Sequence, residues 1–233
     1  MRPAIAHRHL SVLSTRTFQN IVAAPWRRVY IIGKKAHLEK RKVMLIPFVP
    51  LKIIQACAVL LKTQRARRMT RLRLLKLLYI ADREMLQERA RPITGDRAVA
   101  VENGPALDET WKMSAGVRSF AWEEHLTVGR EIEMLADPGV GKLSKGEIEK
   151  LQEVAHRFDD WDDWKLADHT RSFPEWIKNK PQADSPNAIP LDDVLEVAGL
   201  TKDKDALLKN ARDEQNVDRL LALGDFGNIP VKK

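Results

Sequence analysis

A chain of 233 residues with 44% hydrophobic content is long enough to bury one sizeable core, and its size favours one domain with tails over two complete domains. Its single cysteine, Cys57, excludes an internal disulfide framework and a cysteine-based zinc site and points to a reducing, cytoplasmic compartment. The net charge of +8 is unevenly placed: residues 1–43 hold ten Lys/Arg and one acid, Glu39, leaving 30 basic against 31 acidic residues (−1) from Met44 onward. The excess therefore sits in a leader, which weakens a nucleic-acid reading based on bulk charge.

Residues 1–43 mix Arg, Ser and His with scattered apolar residues such as Trp26, Tyr30 and Ile31. They show no sustained period and no small-residue cleavage site after an apolar run. A poorly structured basic leader is expected, read as a mitochondrial-type presequence, as translated sequence upstream of a start at Met44, or as a basic arm for nucleic acid. The longest apolar stretch, Met44 to Leu61, carries Pro47, Pro50 and Lys52 and falls short of the about 20 clean residues of a membrane span. A soluble protein without a membrane partner is expected.

Val49 to Leu61 is apolar or small at nearly every position, which predicts a helix buried on most sides, with Cys57 as a packing residue. Thr70 then caps a central helix reaching Arg89, with Leu72, Leu74, Leu75, Leu78, Tyr79, Met85 and Leu86 on one broad arc. Arg73, Lys76, Arg83, Glu84 and Gln87 fall outside that arc, whereas Asp82 falls in its middle and needs a partner there. Arg91 to Asp96 reads as a turn, Arg97 to Val101 as a short strand, and Gly104 and Pro105 as punctuation before a helix near Ala106 to Val117. Thr127 to Leu135 alternates as a half-buried strand, expected to pair with the first in a small antiparallel ribbon.

Ser144 and Glu147 form a capping box ahead of Ile148, Leu151, Val154, Ala155 and Phe158, which predicts another helix. Further helices are predicted at Trp161 to His169, Phe173 to Lys180, Leu191 to Ala198 and Asp203 to Leu223, separated by breaks around Pro174, Pro181, Pro186 and Pro190. The fold class is mainly α: a compact helical domain over residues 44–182 with a small antiparallel β-ribbon, and a C-terminal helical extension, 183–233, packing on it.

Motifs that would carry chemistry are incomplete. The segment Asp137 to Lys142 lacks the first glycine and the final Ser/Thr of a phosphate loop, having Ala136 and Leu143 there, and reads as a turn. His125, His156 and His169 lack metal-site spacing. The cluster Asp159, Asp160, Asp162 and Asp163 lacks the glycine and distal glutamate of a calcium loop, and reads as helix capping beside two packed indoles, Trp161 and Trp164. The run Lys62, Arg65, Arg67, Arg68, Arg71, Arg73 and Lys76 suits phosphates, an acidic protein surface or plain solvation. Asp82 is open to two roles, general base or structural anchor, and with no nucleophile, paired acid or metal motif beside it in sequence the anchor is favoured. No catalytic residue, cofactor or metal is expected.

The runs LLKLLYIADREML (Leu74 to Leu86) and RPITGDRAVAVENGP (Arg91 to Pro105) strongly resemble the Panacea, or SocA-like, antitoxin domain. LSKGEIEKLQEV (Leu143 to Val154) and LADHTRSFPEW (Leu166 to Trp176) resemble its later segments, so the likeness spans about Val49 to Lys180. Three positions depart from the pattern: Ala98 stands where relatives often have an aromatic, Ala106 where Val is usual, and Arg171 where His is common. The resemblance implies a bacterial antitoxin that neutralises a cognate toxin encoded beside it by direct binding, in some members also as an adaptor delivering that toxin to a cytosolic protease. A bacterial family favours translated sequence upstream of Met44 among the leader readings. Tyr79, Asp82, Arg83, Pro92, Gly95, Asp96, Gly104, Pro105 and Trp176 are expected to fix the scaffold, and Arg67, Arg68, Arg71, Trp111 and Trp122 to serve partner binding, the tryptophans alternatively the core. The competing functions are a nucleic-acid-binding regulator using Lys62 to Lys76 and an enzyme using Asp82 as base.

Overall fold

The computed structural model describes residues 48–117, 120–182, 185–201 and 205. Two units, Met1–Val43 and Met44–Lys233, divide the chain, and the described residues belong to the second. The leader and, apart from Asp205, the helix expected over residues 203–223 lie outside the described residues. Among these the fold is mainly α, with eight helices and five short strands.

Helix α1 (Pro50–Lys62) starts on a proline at its first position, where no amide donor is needed. It is buried from Ile53 through Leu61. The short strand β1 (Arg68–Thr70) leads into the central helix α2 (Arg71–Arg89), whose first turn is held by Thr70 Oγ1 accepting the Arg73 N–H at 3.2 Å. This helix is buried on every side from Arg73 to Asp82, which corrects the single apolar arc read from its sequence. It packs against α1, against α5 (Lys145–Arg157) and against α6 (Asp163–Arg171). The Ser144/Glu147 capping box at the head of α5 forms in full, and Asp162 caps α6 through the Lys165 N–H at 2.7 Å.

Strands β2 (Ala98–Val101) and β3 (Gly104–Leu107) form an antiparallel hairpin, and β5 (Asn187–Ala188) joins the other edge of β2. Residues 104–107, expected to lead straight into helix, are thus a strand, and α3 (Asp108–Ser114) starts only after them. The strand expected within 127–135 is confined to β4 (Glu131–Glu133) and pairs with β1, not with β2. Both edges of β2 are already taken, and β4 finds its partner in a segment whose only apolar residue, Met69, gives no alternating signal. A one-turn helix α4 (Phe120–Glu123), then α7 (Pro174–Lys178) and α8 (Leu191–Val197), complete the described elements, with α8 packed on α7. The main core runs from α1 and α2 to Trp122, Ile132, Leu151 and Leu166. Ala98 packs against both this core and a small cluster of Ala100, Trp176 and Ile189. No helix of the described residues is long and apolar enough to cross a membrane.

Candidate functional site

Two buried carboxylates shape the segment between α2 and α3. Asp82 Oδ1 accepts the N–H groups of Ile93 and Thr94 at 2.8 and 2.7 Å, drawing the turn against the helix it follows. Asp96 accepts Arg97 N–H at 2.7 Å and Glu109 N–H at 3.1 Å on Oδ1, and the Thr110 N–H and hydroxyl, both at 2.8 Å, on Oδ2. It therefore caps α3, whose own cap position is the apolar Leu107. Burial pushes the Asp82 carboxyl up to about 6 and raises Asp96 as well, while the amide donors at each act in the opposite sense. Pro92 is buried, and Gly95 holds a φ of 66° that an L side chain would strain.

One face of α2 carries Lys76, Tyr79 and Arg83 toward β3, α6 and α7. Lys76 is only 1% exposed, and its Nζ donates to the Pro105 carbonyl at 2.7 Å. Desolvation, with the Arg171 guanidinium adding to it, lowers its pKa to about 7. The chain can pass this close because residue 104 is glycine: at its φ of +100° a Cβ would overlap Thr170 Oγ1 and lie 3.3 Å from Lys76 Nζ. Tyr79 OH and Arg83 Nε both donate to Glu175 Oε1, at 3.1 and 2.7 Å, and Arg83 also lies 4.6 Å from the Phe173 ring centroid. Burial, reinforced by Glu175, raises the Tyr79 phenol well above its ordinary range. Trp176 Nε1 donates to the Val101 carbonyl at 3.0 Å and so ties α7 to β2. Every scaffold residue expected from the sequence therefore lies in or beside this polar core; of the three that complete it, Lys76 was expected outside the apolar arc as part of the basic run, and Thr170 and Glu175 were not singled out. For Lys76 and Glu175 the signal is a charge in an otherwise apolar segment, legible only once the facing element is known; Thr170, between His169 and Arg171, carries none.

The basic run divides. Arg73, expected on the solvent side, is buried, donating to the carbonyls of Trp161 and Phe158 at 2.6 Å each and of Asp159 at 3.3 Å, past the C-terminal end of α5. It satisfies carbonyls that the helix end leaves open. Lys62 pairs with Asp137 at 2.7 Å. Arg65, Arg67 and Arg68 are exposed and Arg71 is half-buried, with no ion pair at Arg65 or Arg68 among the described residues. Trp122 is 0% exposed, with Nε1 donating to the Thr127 carbonyl at 3.0 Å, so it belongs to the core and offers no face to a partner; Trp111 is half-buried. Of the two indoles expected to pack beside the aspartates, Trp161 does, edge-on to Phe158 and His169, whereas Trp164 is 63% exposed. Among the described residues no group of three or more His, Cys, Asp or Glu is placed to hold a metal ion.

The family model described as Antitoxin SocA-like, Panacea domain matches residues 74–177. No curated protein and no solved structure matches the chain. The matched segment opens inside α2 and closes at Ile177 in α7, and it contains Asp82, Asp96, Gly104, Thr170 and Glu175, the residues around which the polar core is assembled. It leaves out β1 and the arginines before it. The likeness to the SocA-like, Panacea antitoxin domain accordingly lies in residues 74–177.

Proposed function

We propose that this protein is the antitoxin of a toxin–antitoxin pair and acts by binding a cognate toxin protein in the cytoplasm, not by catalysis. The observation that carries the reading is the employment of Asp82: this buried acid, the candidate general base, spends Oδ1 on two backbone N–H groups, the geometry of an anchor. The likeness of residues 74–177 to the Panacea domain supports an antitoxin role. Delivery of the bound toxin to a cytosolic protease is compatible with the same binding act and needs no further chemistry.

The test is co-expression of the chain with the product of the adjacent gene. Growth rescue together with a stable co-purified complex is the expected outcome; a harmless neighbour, or toxicity without rescue, would overturn the proposal. The exposed Arg65, Arg67 and Arg68 favour a second reading, a nucleic-acid-binding regulator, which requires binding that weakens steeply with salt and disappears on replacing Arg67, Arg68 and Arg71.

A further inference from the structure

We infer that residues 185–201 are a detachable strap, which lifts from β2 and α7 while the main core stays folded and in lifting opens an edge of the three-stranded sheet. The inference is independent of the antitoxin reading, since it concerns only how this part of the fold is fastened.

The strap contributes no side chain to the main core. That core draws on α1 through α6 and on Met69, Leu107 and Ile132 in the strands, and no residue of 185–201 belongs to it. Ile189 joins only the small cluster with Ala100 and Trp176, against which Val194 packs. Ile189 and Leu195 are the only apolar side chains of the strap that are buried, whereas α1 is buried without a break from Ile53 to Leu61. A segment with so few buried apolar contacts opens at a lower free energy than the whole domain unfolds.

The backbone ties are equally limited. Strand β5 is two residues long and both are exposed, in the register Val99↔Ala188 and Ala100↔Asn187. The Ile189 N–H adds one bond, to the Ala98 carbonyl at 3.1 Å. A proline stands on each side, Pro186 before Asn187 and Pro190 after Ile189, and neither has an N–H with which to continue the ladder. Bonded pairs alternate with non-bonded ones in an antiparallel ladder, so Ala98 and Ala100 turn their backbone groups to β5. Arg97, whose carbonyl accepts from Asp108 N–H at 2.8 Å, sets the opposite phase on the other side, and Val99 and Val101 turn theirs to β3.

The side-chain bonds of the strap run chiefly to α7 and the residue after it. Asp193 accepts Lys178 Nζ at 2.6 Å and Asn179 Nδ2 at 2.7 Å, and Asn187 Nδ2 donates to the Asn179 carbonyl at 3.2 Å. One bond reaches α2, from Gln87 Nε2 to the Val197 carbonyl at 3.3 Å, and it is exposed. Helix α7 has fastenings of its own, Glu175 to Tyr79 and Arg83 and Trp176 to Val101, so it stays behind when the strap lifts. Lifting uncovers the Trp176 indole and leaves the β2 edge at Ala98 and Ala100 without a neighbour.

Hydrogen exchange of the full chain, read residue by residue by NMR and corrected for intrinsic rates, tests the strap, because alternate amides of β2 report on different neighbours. In the wild type, Ala100 and Ile189 N–H are expected to exchange at a common rate, at least about tenfold faster than Val99 N–H and than Leu78 N–H in α2. Asp193→Ala and Ile189→Ala are each expected to speed Ala100 by about tenfold more while Val99 and Leu78 keep their rates. Ala100 exchanging as slowly as Val99 in the wild type would overturn the inference. So would variants that speed Val99 and Leu78 as much as Ala100, because the segment would then part from β2 only when the whole domain unfolds.

Discussion

The two sheets of this domain are finished to different degrees. In the three-stranded sheet, β2 has a neighbour on each side, all four residues of β3 are buried, and the Trp176 indole closes on the Val101 carbonyl. In the β1–β4 ribbon the outer edge of β1 has no strand partner among the described residues, and Arg65 and Arg68 beside it have no ion pair among them. The Panacea match covers the whole β2–β3 hairpin and omits β1. The polar residues of the matched segment around that hairpin hold backbone in place.

That contrast breaks most readily at Gly104. Gly104→Ala adds overlap with Thr170 Oγ1 to the strain of a φ of +100°, and is expected to cost about 3 kcal/mol or more. Adding Thr170→Ala should recover the steric part and not the backbone part, as read by denaturant unfolding. No recovery would mean that the close approach to α6 is not what requires glycine.

Asp82→Ala comes next, leaving two buried N–H groups without an acceptor at a cost of about 2–3 kcal/mol, whereas Asp82→Asn keeps the Oδ1 acceptor and should cost less than about 1 kcal/mol. Equal losses in thermal melts of the two variants would show that the charge, not the acceptor, anchors the turn. The smallest effect is a slope. With Lys76 held at about 7 in the fold and at its ordinary 10.5 when unfolded, only the unfolded state keeps the proton between these values, so stability rises with pH across that window. The rise is at most about 1.4 kcal/mol per unit for one proton. Lys76→Met should flatten it in unfolding curves taken from pH 7.5 to 9, and an unchanged slope would remove Lys76 as its source.

What the sequence made legible follows the distance between partners. Thr70, Ser144 and Glu147 act on amides three residues away, and Asp82 on amides 11 and 12 residues on, all within the reach of local pattern. Arg73 and Lys76 find their carbonyls up to 88 residues away; helical periodicity counts any cation as solvent-facing and misplaced both. Strand β1 was missed for the same reason, since its partner is more than 60 residues distant and it has one apolar residue to announce it. Of the candidate site, the scaffold residues were legible as a motif. The open edge was not, because it is defined by which backbone groups a distant strand leaves unanswered.

Cys57, the one thiol in the chain, sits fully buried in α1, and burial pushes its pKa far above the ordinary range. Thiol chemistry requires both access and the thiolate, and the closed core denies both. Alkylating reagents therefore reach it only in molecules whose first helix has parted from the rest, and the sulfur serves as a native clock for the opening of the core, running at the pace of that rare event and not of the reagent.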